Sequence, residues 1–246
     1  MTSSSTVSLP AEIQAKFNAI RIDPDIASRW PDYRVLAIVA HGINATAAAT
    51  DTDAASPLSR AEAEVRARGA FDWTIDPHVA QWMAAYTAFG AKPKRTSPSV
   101  VALLKRVDAG LPRIDPLTDL YNAVSISHAL PIGGEDFDAY AGSPHLAIAT
   151  GDEPFDTIDK GEPVTDHPSP GEVVWRDDIG VTCRRWNWRQ GVRTRIVPTT
   201  TTALFLLEAL GAMTDEELVG AGEALMSGLR QLSPSIVLES RIFQAE

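Results

Sequence analysis

Two stretches of this chain concentrate residue types that do chemistry. The first runs from Asp119, Tyr121 and Asn122 to Pro131, Gly133, Gly134, Glu135 and Asp136. A helix over its first part would deliver a phenol and a carboxamide toward a turn. That turn offers two glycines, whose backbone N–H groups can come close to a ligand, and then two carboxylates. A carboxylate there can bind an ammonium or orient a water, while a carboxamide or N–H can meet a developing oxyanion. The bland alternative is a tight connection followed by a capped helix start. The second stretch is residues 182–190, TCRRWNWRQ. As a strand, it would place Cys183, Arg185, Asn187 and Arg189 on one face and Arg184, Trp186, Trp188 and Gln190 on the other. Two tryptophans one strand repeat apart, beside arginines, make a platform that stacks a nucleobase while holding phosphates. Tryptophans packed in a core, with arginine stems lying over apolar surface, are the alternative.

Other chemistries lack their residues. No GxGxxG or GxxxxGK[ST] loop occurs for dinucleotides or ATP, and no GxSxG, HExxH or EF-hand pattern is present. His41, His78, His128, His145 and His167 are scattered without ligand spacing, and a single cysteine, Cys183, excludes an intramolecular disulfide or a multi-cysteine zinc site. The expectation is a site that needs no metal and no cofactor.

Charge narrows the partners. A formal net charge of −10 argues against a protein that coats nucleic acid with its whole surface, so DNA binding is not expected. The distribution leaves room for a local basic site. Acidic residues crowd between Glu135 and Asp178, and then Arg184, Arg185, Arg189, Arg193 and Arg195 fall within twelve residues that contain no acid. Lys92, Lys94, Arg95, Lys105 and Arg106 form a second basic cluster. Either these are solvated faces of an acidic protein or they mark a boundary that accepts phosphate on one side only.

The elements that must position these residues are legible in outline. With 44% hydrophobic and 22% charged residues, the chain has the proportions of a soluble globular domain. Its longest apolar runs are too short to span a bilayer, and its start lacks the pattern of a signal peptide, so a cytoplasmic protein without a membrane partner is expected. Residues 11–20, 61–68, 78–89, 97–107 and 115–129 have helical spacing or composition, the fourth with Ser97 as cap and Pro98 at its first position. Residues 45–59 read as a loop. Residues 33–40 (YRVLAIVA) read as a buried strand, and short strands are expected at 146–149, 172–175, 181–188 and 193–197. Residues 202–210 read as a helix stopped at Gly211, and Thr214 with Glu217 three residues later predicts a capping box for a last helix. The economical architecture is a single mixed α/β (α+β) domain, a β-sheet core flanked by helices.

The same stretches carry a resemblance. PHVAQWMAAYTAFG, DLYNAVSISHALPIGGEDFD, GDEPFDT and VTCRRWNWRQG, taken together in this order, resemble the B3/B4 editing domain of the phenylalanyl-tRNA synthetase β-subunit, and more closely free-standing bacterial proteins built on that module. The likeness covers residues 78–210. It implies a B3/B4-like unit over residues 76–246, with residues 1–75 an extension folded into the same globule. Asn122, Pro131 and Asp136 match the synthetase pattern. Tyr121 stands where that pattern has threonine, and Gly133, Gly134 and Glu135 stand where it has His-Ala-Phe. The resemblance implies metal-free hydrolysis of a mischarged aminoacyl-tRNA held by its acceptor end. In that reading Asn122, Glu135 and Asp136 serve the reaction, and Tyr121, Gly133, Gly134, Arg184, Arg185, Trp186, Asn187, Trp188 and Arg189 bind the substrate. Two other readings stay open: a module that binds tRNA or an amino-acid-like molecule without chemistry, and a metabolic protein that recruited the fold. No ATP-binding or adenylate-forming motif is visible, so the chain is not expected to charge tRNA.

Overall fold

Most helix starts that combine a capping residue with a proline form as that pattern requires; the one expected at Ser97 and Pro98 does not. A computed structural model describes residues 8–44, 56–68, 73–92 and 94–244. Helix α4 (Pro77–Ala88) begins at Asp76, whose carboxylate accepts the N–H groups of His78 and Val79, with Pro77 in the first turn. Helix α6 (Pro116–His128) begins the same way at Asp115 and ends at Ala129 in the left-handed conformation. The Thr214–Glu217 capping box is formed and opens α7 (Asp215–Leu232). Three further helices are α1 (Ala11–Asn18), α2 (Pro24–Arg29) and α3 (Pro57–Ala67). Helix α5 is shorter than its pattern suggested. It spans only Ser99–Leu104, with Pro98 rather than Ser97 at the cap and no side-chain capping bond. Of the loop expected at 45–59, residues 45–55 lie outside the described residues, and α3 starts before its end.

The strands form two principal sheets. One has the order β11 (Val237–Phe243), β2 (Arg34–His41), β10 (Thr202–Ala209) and β3 (Ile132–Asp136), antiparallel throughout. The other has the order β1 (Arg21–Ile22), β4 (His145–Ile148), β7 (Val173–Arg176), β8 (Val181–Arg184) and β9 (Arg189–Gln190). A hairpin of β5 (Phe155–Asp159) and β6 (Glu162–Asp166) stands apart. Helices α6 and α7 cover one face of the first sheet through Ala203, Phe205 and Leu207. Its other face, carrying Leu204 and Leu206, shares a core with Leu146, Val173 and Trp175 of the second sheet. Each fully buried Leu or Phe in these layers contributes about 1.5–3 kcal/mol over its exposed state.

Three expectations are corrected. Residues 202–210 form a central strand, not a helix. Every residue of β10 is buried, so TALFLLEA shows no alternation, and a short continuous apolar run has no period to separate strand from helix. Residues 132–136 form the edge strand β3 where a turn was expected. The strand expected over 181–188 stops at Arg184, because Arg185 (φ 47°) and Trp186 (φ 67°) take left-handed conformations that reverse the chain, and residues 193–197 contribute only a bridge between Arg195 and Glu135.

Candidate functional site

A cleft enclosing about 230 Å³ opens between the edge strand β3, the 185–190 turn with β9, and helices α5 and α6. Tyr121, Asn122, Gly133, Gly134, Glu135, Trp186, Asn187, Trp188 and Arg189 all line it, so nine of the expected residues converge. Arg106, from the second basic cluster, also lines it.

The two glycines do different things. An added Cβ at Gly133 meets nothing within 4 Å, so its lack of a side chain leaves the cleft floor open. An added Cβ at Gly134 would lie 2.6 Å from the Tyr121 ring, so this glycine lets the tyrosine close over the strand. Their amides differ too. The Glu208 N–H bonds to the Pro131 carbonyl, so by antiparallel alternation Gly133 spends its backbone groups on Leu206, while those of Gly134 face the outer edge of β3, which residues 194 and 195 partly cover. Gln190 Nε2 holds the Gly134 carbonyl there at 2.9 Å. Of the two expected backbone donors, only the Gly134 N–H faces outward.

Asn122 is 9% exposed, and its carboxamide has no hydrogen-bond partner among the described residues. Ser99, also in the cleft wall, has a hydroxyl without a partner. Both groups are available to a ligand or water.

The cleft floor carries two carboxylates. Glu135 is 3% exposed, accepts a very short hydrogen bond from the Tyr140 hydroxyl, and is pushed up to about 7 by burial, which the Tyr140 bond opposes. Glu208 is 1% exposed and is also pushed up to about 7 by burial. Its oxygens accept from Trp175 Nε1 at 2.9 Å, Tyr33 Oη at 2.8 Å and Asn187 Nδ2 at 2.7 Å. Burial, and then the neighbouring Glu135 and Glu208 charges, push the Cys183 thiol up, so it is no nucleophile. Glu208 was missed because residues 202–210 were read as a helix. A lone acid in an otherwise apolar run was the available signal, since a buried carboxylate must be satisfied or put to use.

Some expected residues serve the scaffold instead. Trp186 is fully buried and packs edge-on against Trp30, Tyr33 and Trp82 at 4.8–5.1 Å between centroids, so it offers no stacking face. Asn187 accepts from the Tyr86 hydroxyl and donates to Glu208, which commits its amide to positioning that carboxylate. Asp136 points off the other side of β3. Its carboxylate accepts from Thr200 and from the Asp138 and Ala139 amides, outside the cleft lining. Arg184 is locked to Glu172 by two bonds of 2.9 Å and to Asp166 at 2.5 Å. The platform reduces to Trp188, half-buried, with the Arg185 guanidinium 4.4 Å and that of Arg189 5.9 Å from its ring. Arg185 lies beside the cleft rather than in its lining.

Among the described residues no cluster of His, Cys, Asp and Glu could hold a metal ion, and no helix is long and apolar enough to cross a membrane. Fold and site together define a single α+β domain whose inter-sheet cleft is acidic within and basic at its rim. A sequence model of the B3/4 domain matches residues 81–244, well over half of the chain. The chain belongs to the B3/4 domain family. A search of curated proteins finds no match. Among solved structures, the chain is similar to the crystal structure of an N-terminal fragment of the phenylalanyl-tRNA synthetase β-subunit from Pyrococcus horikoshii, at 14% identity and a TM-score of 0.42, covering 91% of this chain and 49% of that one. The chain thus spans about half the length of that fragment.

Proposed function

We propose that this protein hydrolyses the ester of a mischarged aminoacyl-tRNA delivered by another enzyme. The observation that carries this reading is the polarity of the cleft: buried Glu135 and Glu208 inside, Arg189 and Arg106 at the rim. An aminoacylated tRNA end has the complementary order, an ammonium at its tip and phosphates behind it. Glu135 takes the ammonium as a charge-assisted pair. Trp188 stacks the terminal adenine, and Arg189, Arg185 and Arg106 face the phosphates. The Ser99 hydroxyl is free to hold the attacking water. Water oxygen bonds to the ester carbonyl carbon, and Asn122 Nδ2 and the Gly134 N–H donate to the oxyanion. The bond to the ribose oxygen then breaks and that oxygen takes the proton, releasing amino acid and tRNA.

The test is a panel of purified aminoacyl-tRNA pairs incubated with the protein, following loss of the ester bond. Release of one or a few amino acids above the spontaneous rate supports the reading. Salt-dependent tRNA binding with no ester loss across the whole panel overturns it in favour of a binding module.

A further inference from the structure

We propose that the cleft is built for an aminoacyl group carrying a second positive charge, of the lysine or ornithine type, with Glu135 and Glu208 each facing one ammonium. The inference rests on the deacylase reading for its ester and extends it to the class of side chain.

All but one of the other buried acids among the described residues have a cation of their own. Glu172 pairs with Arg184, Asp177 with Arg193, Glu62 with Arg113 and Glu153 with Arg176, at 2.8–3.5 Å. Buried Asp119 lacks an ion pair but binds the Ile114 amide and feels Arg113. Glu135 and Glu208 are buried as deeply, yet no Lys, Arg or His among the described residues lies within ion-pair distance of either. Their hydrogen-bond donors are all neutral, Arg193 acts on Glu135 only from beyond ion-pair distance, and both carboxylates line the one cleft. Two carboxylates without an ion pair are costly to hold in a dry site, and a dication entering the cleft would relieve both.

Their placement suits such a ligand. Glu135 lies opposite Leu204 on the β3–β10 ladder, and Glu208 is four residues further along β10, about 13 Å at strand rise. Leu204, Leu206 and Glu208 share the sheet face that Gly133 and Glu135 occupy through their pairing, so both carboxylates rise from that face. Gly133, opposite Leu206, sits midway with nothing where its Cβ would be. An amino acid with its amines four or five carbons apart bridges two anionic ends over an open, uncharged floor. A neutral side chain leaves one carboxylate unpaired.

Two measurements test this on the wild-type protein. In the first, binding of lysinamide is compared with that of norleucinamide by calorimetry; the two share an α-ammonium and an unbranched side chain, and only lysinamide has the second charge. A charge-assisted bond predicts about 10- to 100-fold tighter binding of lysinamide, and Glu208→Gln should shrink that ratio at least about tenfold. Equal binding of the two amides by the wild type overturns the proposal whatever the variant does. In the second, deacylation rates are compared for lysyl- and tyrosyl-tRNA. Faster loss of lysine supports the proposal, and preferential loss of tyrosine overturns it while leaving the deacylase reading intact. If no ester is cleaved but lysinamide is preferred, the deacylase reading fails and the dication site stands.

Discussion

Two charged clusters, one around Arg184 on β8 and one in the cleft on β3 and β10, handle burial in opposite ways. Around Arg184 every charge has a counter-charge: two bonds to Glu172, one to Asp166, and Arg185 3.7 Å from Glu172. That cluster is closed. In the cleft, Glu135 and Glu208 are as deeply buried but have only hydroxyl, indole and amide donors, and burial holds both at about 7. Nearby, the Asn122 and Ser99 side chains have no hydrogen-bond partner among the described residues. A buried charge with its partner in place ties down the chain, whereas one held only by neutral donors leaves room for something that arrives from outside. Residue type alone does not separate the two roles; pairing does.

The contrast is most sharply broken at Glu172. Glu172→Ala strands Arg184 inside the protein and should cost about 3–5 kcal/mol of stability, read from denaturant unfolding. A loss below about 1 kcal/mol would mean that Asp166 alone satisfies Arg184, and the cluster would no longer count as closed. At the other pole, Asn122→Ala should leave unfolding nearly unchanged and lower deacylation about 100- to 1000-fold, equivalent to about 2.7–4 kcal/mol of barrier. Unchanged turnover would remove Asn122 from the site.

The cleft carboxylates also make a pH prediction. Unfolded, each ionises near 4.5; folded, each keeps its proton until about 7. Between these values the unfolded chain has lost protons that the folded one retains, so stability falls as pH rises from about 4.5 and levels off above 7. Each carboxyl accounts for on the order of 3 kcal/mol of that fall. Unfolding followed from pH 4 to pH 8 should show the decline, and Glu208→Gln should flatten it. Rising stability over this window would show that the carboxylates are ionised and satisfied in the free protein.

The smallest effect separates the paired glycines. Gly134→Ala drives a methyl into Tyr121 and should cost about 1–3 kcal/mol, whereas Gly133→Ala meets open space and should cost under about 1 kcal/mol while narrowing the cleft. Thermal melts of the two variants, with deacylation assays beside them, check the order. Equal destabilisation would refute the division of labour between them.

Much of this was readable from local chemistry. The capping box at Thr214 acts within one turn, so it could be read from a few neighbouring residues, whereas the cap expected at Ser97 did not form. The β2 strand was legible from its β-branched run. The strand β10 was not, since burial on both faces erases the alternation that distinguishes a strand, and Glu208 was lost with it. Trp186 and Arg184 misled for a related reason. Two left-handed residues after Arg184 turn the chain, and a single departure of that kind reverses which side chains point inward.

Taken alone, the amino-acid order determined which groups were available: a carboxamide, a pair of glycines, a run of arginines and tryptophans, and the capping box that starts the last helix. Those depend on residue identity and on interactions a few positions apart. It did not determine which charges would meet. Glu172 found Arg184, Asp177 found Arg193, and Glu208, 86 positions beyond Asn122, came to line the same cleft because β10 runs through the middle of a sheet. Whether a buried charge is paired depends on distances across the folded chain, and only the packing of both sheets sets those.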